Sequence, residues 1–427
     1  MMKISQFPVR KLTRAGILTS ALMLSQANAL AEQVTLDDAV QLTLNRHPSL
    51  LKFRPLTRAL EGDRQQALLS PAYTVGANLE NVMGTSSTSG VQAAEATISL
   101  SSVYELGGKK SARTLVVDAR AALLDSEQYS MSLSLLGGLT QQYIRVLAQQ
   151  ERLQIAERSV SLAEDALTVI TNRIKSGATN DAELFRAKSA LNQAKLELAT
   201  AKVNKEIALQ SLTLFWQGNY EDITLTGSLN SPAKNYSYET LFNQFLSSSN
   251  ADLLIKSLDL KDAEIQLAKS DNTADLSWSV GVRRNQGAQD TSLVFGASIP
   301  LFAEKRNSGA VKSAIASKEA ELLERDTKYL DVKAILFKAT KSINFSSQAA
   351  LHLEKEVMPD LKRALELTKE GYQKGIYTYQ EWFASRDALL QSQRSLINYR
   401  EATLLNEALI EQWTGQSLKS FTFNLQD

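Results

Sequence analysis

The sequence predicts a mainly α-helical chain with a small β part, built from two copies of one unit: helix, β-hairpin, long helix, long helix. The composition suits extended helices, with seven prolines and 19 glycines in 427 residues. Two pairs of segments alternate apolar and polar residues with period two, as strands do. Features also recur at an offset of 198 residues, from Gly177 to Gly375 and from Glu183 to Glu381. Such recurrence indicates an internal repeat.

Residues 1–31 have the three parts of a secretory signal peptide. Basic residues precede a short apolar stretch at 15–24, and small residues at 29–31 suit cleavage. The apolar stretch is too short for a transmembrane helix, which needs about 20 apolar residues. We therefore expect an exported mature chain that begins at residue 32.

The composition argues against several classes of function. The absence of cysteine removes disulfides, thiolate nucleophiles and cysteine-based metal sites. High-affinity transition-metal sites normally use His, Cys or Met, and the two histidines, His47 and His352, have no second such ligand nearby. No metal site and no cofactor are therefore expected. Without a glycine-rich phosphate loop an enzyme is not expected, and a net charge of +1 gives no reason to expect nucleic acid as a partner.

The two predicted repeats span residues 32–218 and 238–415, with an irregular segment at 219–237 between them and a C-terminal tail at 416–427. The predicted strands lie at about 72–82, 94–104, 275–284 and 291–300, and the long helices at about 109–173, 180–217, 304–372 and 378–414. The first long helix would have about 65 residues. Globular helices average ~11–12 residues, so this length indicates a coiled or barrel assembly.

Several motifs resemble those of the TolC-like outer membrane efflux protein family over nearly the whole mature chain. They are Leu36–Ala39 with Asn45–Pro48, Glu105–Lys110, Ile299–Phe302 with Asn307–Gly309, and Tyr372–Gly375. Two of these motifs, Glu105–Lys110 and Ile299–Phe302 with Asn307–Gly309, are most similar to those of the CzcC-like branch that serves heavy-metal efflux pumps. Many relatives carry a lipidated N-terminal cysteine, and because this chain has no cysteine, no lipid anchor is expected.

The resemblance implies a homotrimer that forms one conduit, with a twelve-stranded β-barrel in the outer membrane of a Gram-negative bacterium and a helical barrel in the periplasm. The strand count agrees with a trimer. Four strands per chain cannot close a barrel, because membrane barrels have at least ~8 strands and open strand edges cannot face lipid. Three chains would supply twelve strands. The implied partners are a periplasmic adaptor protein, an inner-membrane RND-type pump and outer membrane lipid. The implied function is the exit duct of a tripartite efflux pump, with heavy-metal or other cation efflux favoured.

Two alternatives remain open. A TolC-like duct could instead serve drug efflux or type I protein secretion, because the inner-membrane pump selects the cargo. A periplasmic coiled-coil adaptor or structural protein would explain the long helices. It would not explain two copies of an alternating strand pair.

The resemblance also implies that the turns between the long helices contact the adaptor. Gly177 and Ala178 in the first turn, and Gly375 and Ile376 in the second, match the contact positions of the family. Both glycines also suit helix C-caps in the left-handed conformation, which need no partner protein.

An acidic constriction is expected near the same turns. Glu183 and Glu381 each follow a turn glycine by six residues, and the second matches an acidic constriction residue of the family. In a trimer, six carboxylates near the axis would attract cations. Solvated helix faces would explain these glutamates equally well.

A third set of residues is expected where strands join helices, at the membrane interface. The basic members are Lys109, Lys110, Arg113, Lys305 and Arg306, and the aromatic members are Tyr73, Tyr104, Trp278 and Phe302. Long basic side chains can reach towards head groups, and aromatic girdles flank membrane barrels. The alternative is that these residues only stabilise the junctions between strands and helices, without contacting lipid.

Overall fold

The computed structural model describes residues 32–221, 223–230 and 236–416, and most of these residues are helical. The elements in chain order are β1 (Glu32–Val34), α1 (Leu36–Arg46), α2 (Pro48–Leu51), α3 (Phe53–Ala67), β2 (Thr74–Glu80), β3 (Glu95–Tyr104), α4 (Lys109–Lys175), α5 (Asp181–Thr213), β4 (Ile223–Leu225), α6 (Tyr238–Leu246), α7 (Ser249–Ser270), β5 (Leu276–Asn285), β6 (Asp290–Ser298), α8 (Ala303–His352), α9 (Met358–Gln373) and α10 (Tyr379–Thr414). The prediction of a mainly helical chain with a small β part is confirmed. The predicted signal peptide lies outside the described residues, as does the tail beyond residue 416.

Helix α1 begins with a capping box. The Thr35 side chain accepts a hydrogen bond from the Asp38 N–H at 3.2 Å, and the Asp38 carboxylate accepts one from the Thr35 N–H at 3.0 Å. These bonds satisfy backbone donors that a helix start leaves free. His47 caps α2 in a similar way, because its Nδ1 accepts a hydrogen bond from the Ser49 N–H at 3.2 Å. His47 therefore has a local structural role.

Helix α4 is the central element, and α5, α7 and α10 pack along it. The largest core cluster includes Leu136, Leu139 and Val146, which are fully buried. Complete burial of such a side chain contributes about 1.5–3 kcal/mol. Where α4 packs on α5, some of the buried residues are small, such as Ala163 of α4 and Ala194 of α5, and small residues let helix backbones approach closely.

The helix predicted over 304–372 is interrupted. Helix α8 ends at His352, a π-helical turn spans Leu353–Val357, and α9 continues from Met358. Pro359 has no N–H, so a regular α-helix would leave the Lys355 carbonyl without its donor. The π-helical turn lies directly before this proline, at the position where the regular ladder fails.

Strands β2, β3, β5 and β6 form one antiparallel sheet in that order. The two predicted hairpins are therefore joined through the β3–β5 pair, and β2 and β6 are the edges. A separate two-stranded parallel sheet joins β1 to β4, and β4 lies inside the stretch 219–237 that the sequence predicts to be irregular. Strands this short, with partners so distant in sequence, leave no periodic signal.

Among the residues that the structure describes, none of the helices combines the length and the apolarity that crossing a membrane requires.

Candidate functional site

The turn between α4 and α5 is closed by Gly177 in the left-handed conformation, with φ of +71°. The Gly177 N–H donates to the Ile174 carbonyl at 2.9 Å, and the Ala178 N–H donates to the Arg173 carbonyl at 2.8 Å. This pair of bonds is a helix C-cap that favours glycine. Asn180 then caps α5. The glycine therefore has a structural role in the turn, and Ala178 lies exposed at its outer end.

The turn between α9 and α10 has the same construction. Gly375 has φ of +79°, its N–H donates to the Tyr372 carbonyl at 3.1 Å, and the Ile376 N–H donates to the Gly371 carbonyl at 2.8 Å. The Ile376 side chain is 71% exposed. We refer to the two turns, residues 176–180 and 374–378, as the helical tips.

The two predicted constriction glutamates have different surroundings. Glu381 belongs to a capping box, because its carboxylate accepts hydrogen bonds from the Thr378 N–H and hydroxyl, both at 2.8 Å. The bond from the Thr378 backbone holds the pKa of Glu381 below its usual value. Glu183 instead accepts hydrogen bonds from the Thr179 hydroxyl at 2.6 Å and from the Tyr372 hydroxyl at 2.7 Å. Of these two glutamates, only Glu183 forms a hydrogen bond between the first helical hairpin and the second.

Arg173 makes a second connection between the tips. Its guanidinium lies 4.6 Å from the centre of the Tyr372 ring and donates hydrogen bonds to the Tyr372 carbonyl and, at 3.2 Å, to the Ala178 carbonyl. Tyr372 itself is 2% exposed and stacks on Trp382 with ring centres 5.3 Å apart. We call Arg173, Tyr372 and Glu183 the tip link.

Burial, followed by the hydrogen bond to Glu183, raises the pKa of Tyr372. The hydroxyl therefore stays protonated and remains a donor to the Glu183 carboxylate. Sequence analysis missed Tyr372 and Arg173 as site residues. The 198-residue offset places Tyr372 on Ile174 and Arg173 on Gly371, so the predicted repeat provides no signal for these two residues.

The four-stranded sheet has an apolar face and a polar face. Two rows of apolar side chains cross all four strands on one face, namely Val75, Leu100, Val280 and Phe295, and Ala77, Ile98, Val282 and Leu293. Leu293 is 67% exposed and Phe295 is 74% exposed, so no described part of the chain covers this face. The opposite face carries Asn78, Thr97, Arg283 and Ser292 in one cross-strand row. A water-soluble sheet would bury its apolar face and expose its polar one.

The predicted basic residues at the strand–helix junctions fall into two groups. Lys109 pairs with Asp275 at 2.7 Å, and Arg113 binds Glu105 through two hydrogen bonds of 2.5 and 2.8 Å. The bond from Arg113 lowers the pKa of Glu105. These pairs tie α4 to the strand ends. The other three residues, Lys110, Lys305 and Arg306, are exposed.

The predicted aromatic residues lie at one end of the apolar face. Trp278 and Tyr104 share the face of the apolar rows, and Tyr73, just before β2, lies edge-on to Trp278 with ring centres 6.2 Å apart. Phe302 is exposed directly after β6, and Lys305 lies 5.8 Å from the centre of its ring. The arrangement agrees with an aromatic girdle, which stays a prediction.

In the described ranges no group of three or more His, Asp or Glu side chains is placed to hold a metal ion. His352 lies beside Glu356, with Nδ1 and Oε2 3.2 Å apart.

Long paired helices with tips at one end and a sheet that exposes its apolar face at the other define a membrane-attached helical channel subunit. The family model described as "Outer membrane efflux protein" matches residues 39–217 and 250–416, which is most of the chain. The chain belongs to the outer membrane efflux protein family. The family resemblance stated from the sequence motifs is thereby confirmed.

Individual proteins are similar at lower identity. The cobalt-zinc-cadmium resistance protein CzcC of Cupriavidus metallidurans is 23% identical over 385 residues, covering 89% of this chain and 90% of CzcC. The pyoverdine export outer membrane protein OpmQ of Pseudomonas putida is 24% identical over 351 residues, covering 74% of this chain and 71% of OpmQ. The solved outer-membrane channel OprN shares the fold, with a TM-score of 0.74, 16% identity and 89% of each chain covered.

Proposed function

We propose that this outer membrane efflux protein is the exit duct of a tripartite pump, assembled as a homotrimer with a twelve-stranded barrel. The observation that carries the proposal is the uncovered apolar face of the sheet. Lipid tails can cover an apolar face without removing water from polar groups. The backbone N–H and C=O groups at the free edges of β2 and β6, however, need hydrogen-bond partners inside a membrane. Three copies would supply twelve strands, with the β6 edge of one chain against the β2 edge of the next.

Two exposed apolar stripes on the long helices support the trimer. On α5 and the turn that follows it the exposed apolar residues include Leu196, Val203, Ile207 and Leu214, and on α8 they include Leu323, Leu330, Phe337 and Leu351. The spacings are seven, four and seven in the first stripe and seven, seven and fourteen in the second, which agrees with the heptad spacing of helix–helix seams. In the trimer, the α5 stripe of one copy would pack against the α8 stripe of the next copy. The same arrangement would build the helical barrel from both repeats.

The tips would form the periplasmic end of the duct, where an adaptor protein and an inner-membrane pump attach. Gly177, Ala178, Gly375 and Ile376 lie at the outer surface of the tips, which agrees with an adaptor contact. The tip link would hold the two hairpins together in a closed state. Glu183 would remain near the conduit, and Glu381 would mainly cap α10.

Heavy-metal cations are the proposed cargo, because the similarity to CzcC extends over 89% of this chain. The duct would conduct the ion without selecting it, since the chain contains only two histidines and no cysteine. Export of an organic molecule is the second candidate, supported by the similarity to OpmQ. The two candidates differ in cargo only and share the duct architecture.

The proposed function predicts a definite location and phenotype. The mature protein should fractionate with outer membranes and migrate as a trimer before heating. Deleting its gene should increase sensitivity to cobalt, zinc or cadmium ions, and reintroducing the gene should restore resistance. A soluble monomer in the periplasmic extract would contradict the duct itself. A normal trimer without a metal phenotype would contradict only the metal cargo.

A tip substitution tests the adaptor contact. In Gly375→Val the left-handed conformation costs about 1–2 kcal/mol for an L-residue, and the new side chain occupies the outer surface. We expect reduced efflux with normal trimer levels, measured by metal resistance and by gel migration before heating. Lys374→Val is the matched control, because Lys374 is exposed and has a right-handed backbone. Loss of the trimer in Gly375→Val would show that the glycine serves only the fold.

A further inference from the structure

A cavity of about 630 Å³ lies between α5 and α10, next to the helical tips. Ser159 of α4 is part of its lining. Apolar residues that include Phe383 and Leu390 share the lining with several charged side chains. Such a mixture of apolar surface and a few polar groups is typical of sites for small organic ligands. None of the interactions of the tip link uses this cavity.

Two deeply buried polar groups line the cavity without a hydrogen-bond partner. Arg386 is 8% exposed and its Nε has no partner, and Tyr379 is 4% exposed and its hydroxyl has no partner. The two residues are seven positions apart on α10, so they lie on one face. An arginine side chain on a helix extends towards the helix N-terminus, which brings the guanidinium of Arg386 towards Tyr379.

No carboxylate among the described residues forms a salt bridge with Arg386, and Asp387 and Glu197 act on it only through Coulomb attraction. Glu197, which also lines the cavity, is already paired with Arg394 at 2.5 Å. Asp387, next to Arg386 in sequence, attracts its charge but forms no salt bridge with it. The Phe383 ring, 4.4 Å from the guanidinium carbon, is a weaker partner.

A buried cation without a counter-ion is unfavourable. Burial lowers the pKa of Arg386, but an arginine in a protein keeps its proton. The free donors on Arg386 and Tyr379 therefore require an acceptor from outside the chain. A carboxylate matches this set, because its two oxygens accept hydrogen bonds from a guanidinium in a planar arrangement.

We propose that Arg386 and Tyr379 form a binding site for an organic carboxylate in the cavity between α5 and α10. Phe383 and Leu390 would contact the apolar part of the ligand, and the exposed Arg186 at the cavity wall would attract anions. The carboxylate would come either from a small organic acid or from an acidic side chain of the adaptor. The site does not depend on the proposed cargo.

The test uses the purified full-length protein in detergent, with benzoate as the probe and neutral benzamide as its isosteric control. Calorimetric titration should show benzoate binding at least tenfold more tightly than benzamide. Arg386→Gln and Tyr379→Phe should each weaken benzoate binding at least tenfold. Tyr379→Phe should not lower Tm, because the hydroxyl that it removes has no partner in the unliganded chain. Arg145→Gln, at an exposed site elsewhere on α4, should bind benzoate as the wild type does.

Three results would overturn the site: no benzoate binding to the wild-type protein, equal affinity for benzamide, or unchanged affinity in Arg386→Gln. The source of the carboxylate is then tested by capturing the co-expressed adaptor of the same pump, a step that rests on the proposed function. Reduced capture by Arg386→Gln assigns the carboxylate to the adaptor, and unchanged capture assigns it to a free organic acid. If the wild-type protein captures no adaptor, the proposed adaptor contact is contradicted. The benzoate measurement still decides whether the carboxylate site exists.

Discussion

Replacing Leu293 by lysine is expected to abolish assembly in the outer membrane. Leu293 lies in the apolar row that also contains Ile98 and Val282, on the uncovered face of the sheet. A lysine on the lipid face near the bilayer midplane costs about 2–4 kcal/mol in membrane barrels. A homotrimer would incur this cost three times. The measurement is the amount of trimer in outer membrane fractions before heating.

The neighbouring residue provides a matched control for this change. Val294 lies opposite Gly281 in the ladder and points to the polar face. Val294→Lys introduces the same charge into the same strand, and we expect it to assemble at a level close to that of the wild type. If both lysine variants assemble equally well, the apolar face does not contact lipid and the membrane role of the sheet is refuted.

Replacing Tyr372 by phenylalanine is expected to open the resting channel. The change removes the hydroxyl that donates to Glu183 at 2.7 Å and leaves the stacking on Trp382 intact. A hydrogen bond to a charged group contributes about 1.5–3 kcal/mol, and each ~1.4 kcal/mol changes an equilibrium tenfold. We therefore expect the open fraction in planar bilayers to rise tenfold or more. Thermal stability of the trimer should change much less.

Tyr377→Phe is the control at the same tip. Tyr377 is exposed, and its hydroxyl is not part of the tip link, so removing it should leave the open fraction unchanged. Glu183→Gln should resemble Tyr372→Phe, because a neutral amide accepts a weaker hydrogen bond than a carboxylate. An unchanged open fraction in both Tyr372→Phe and Glu183→Gln would mean that the tip link does not hold the channel closed.

Much of the fold follows from local sequence patterns. The period-two segments and the long helical stretches correspond to strands and helices because side-chain periodicity is set by the backbone itself. The glycines of both tips were identifiable because a left-handed C-cap favours glycine at one position. The role of Glu381 was also accessible, since Thr378 and Glu381 have capping-box spacing. The family resemblance also implied a place for Glu381 in the constriction, which stays a prediction.

The sequence by itself determined most of the helices, the two β-hairpins, the tips and the family. Only the tertiary structure decided that β3 pairs with β5, that Tyr372 reaches Glu183, and that Arg386 is buried without a salt-bridge partner. These features join positions that are distant in sequence, or they depend on which helix face another helix covers. No local period encodes such contacts, because each forms only when α4 brings the two halves of the chain together.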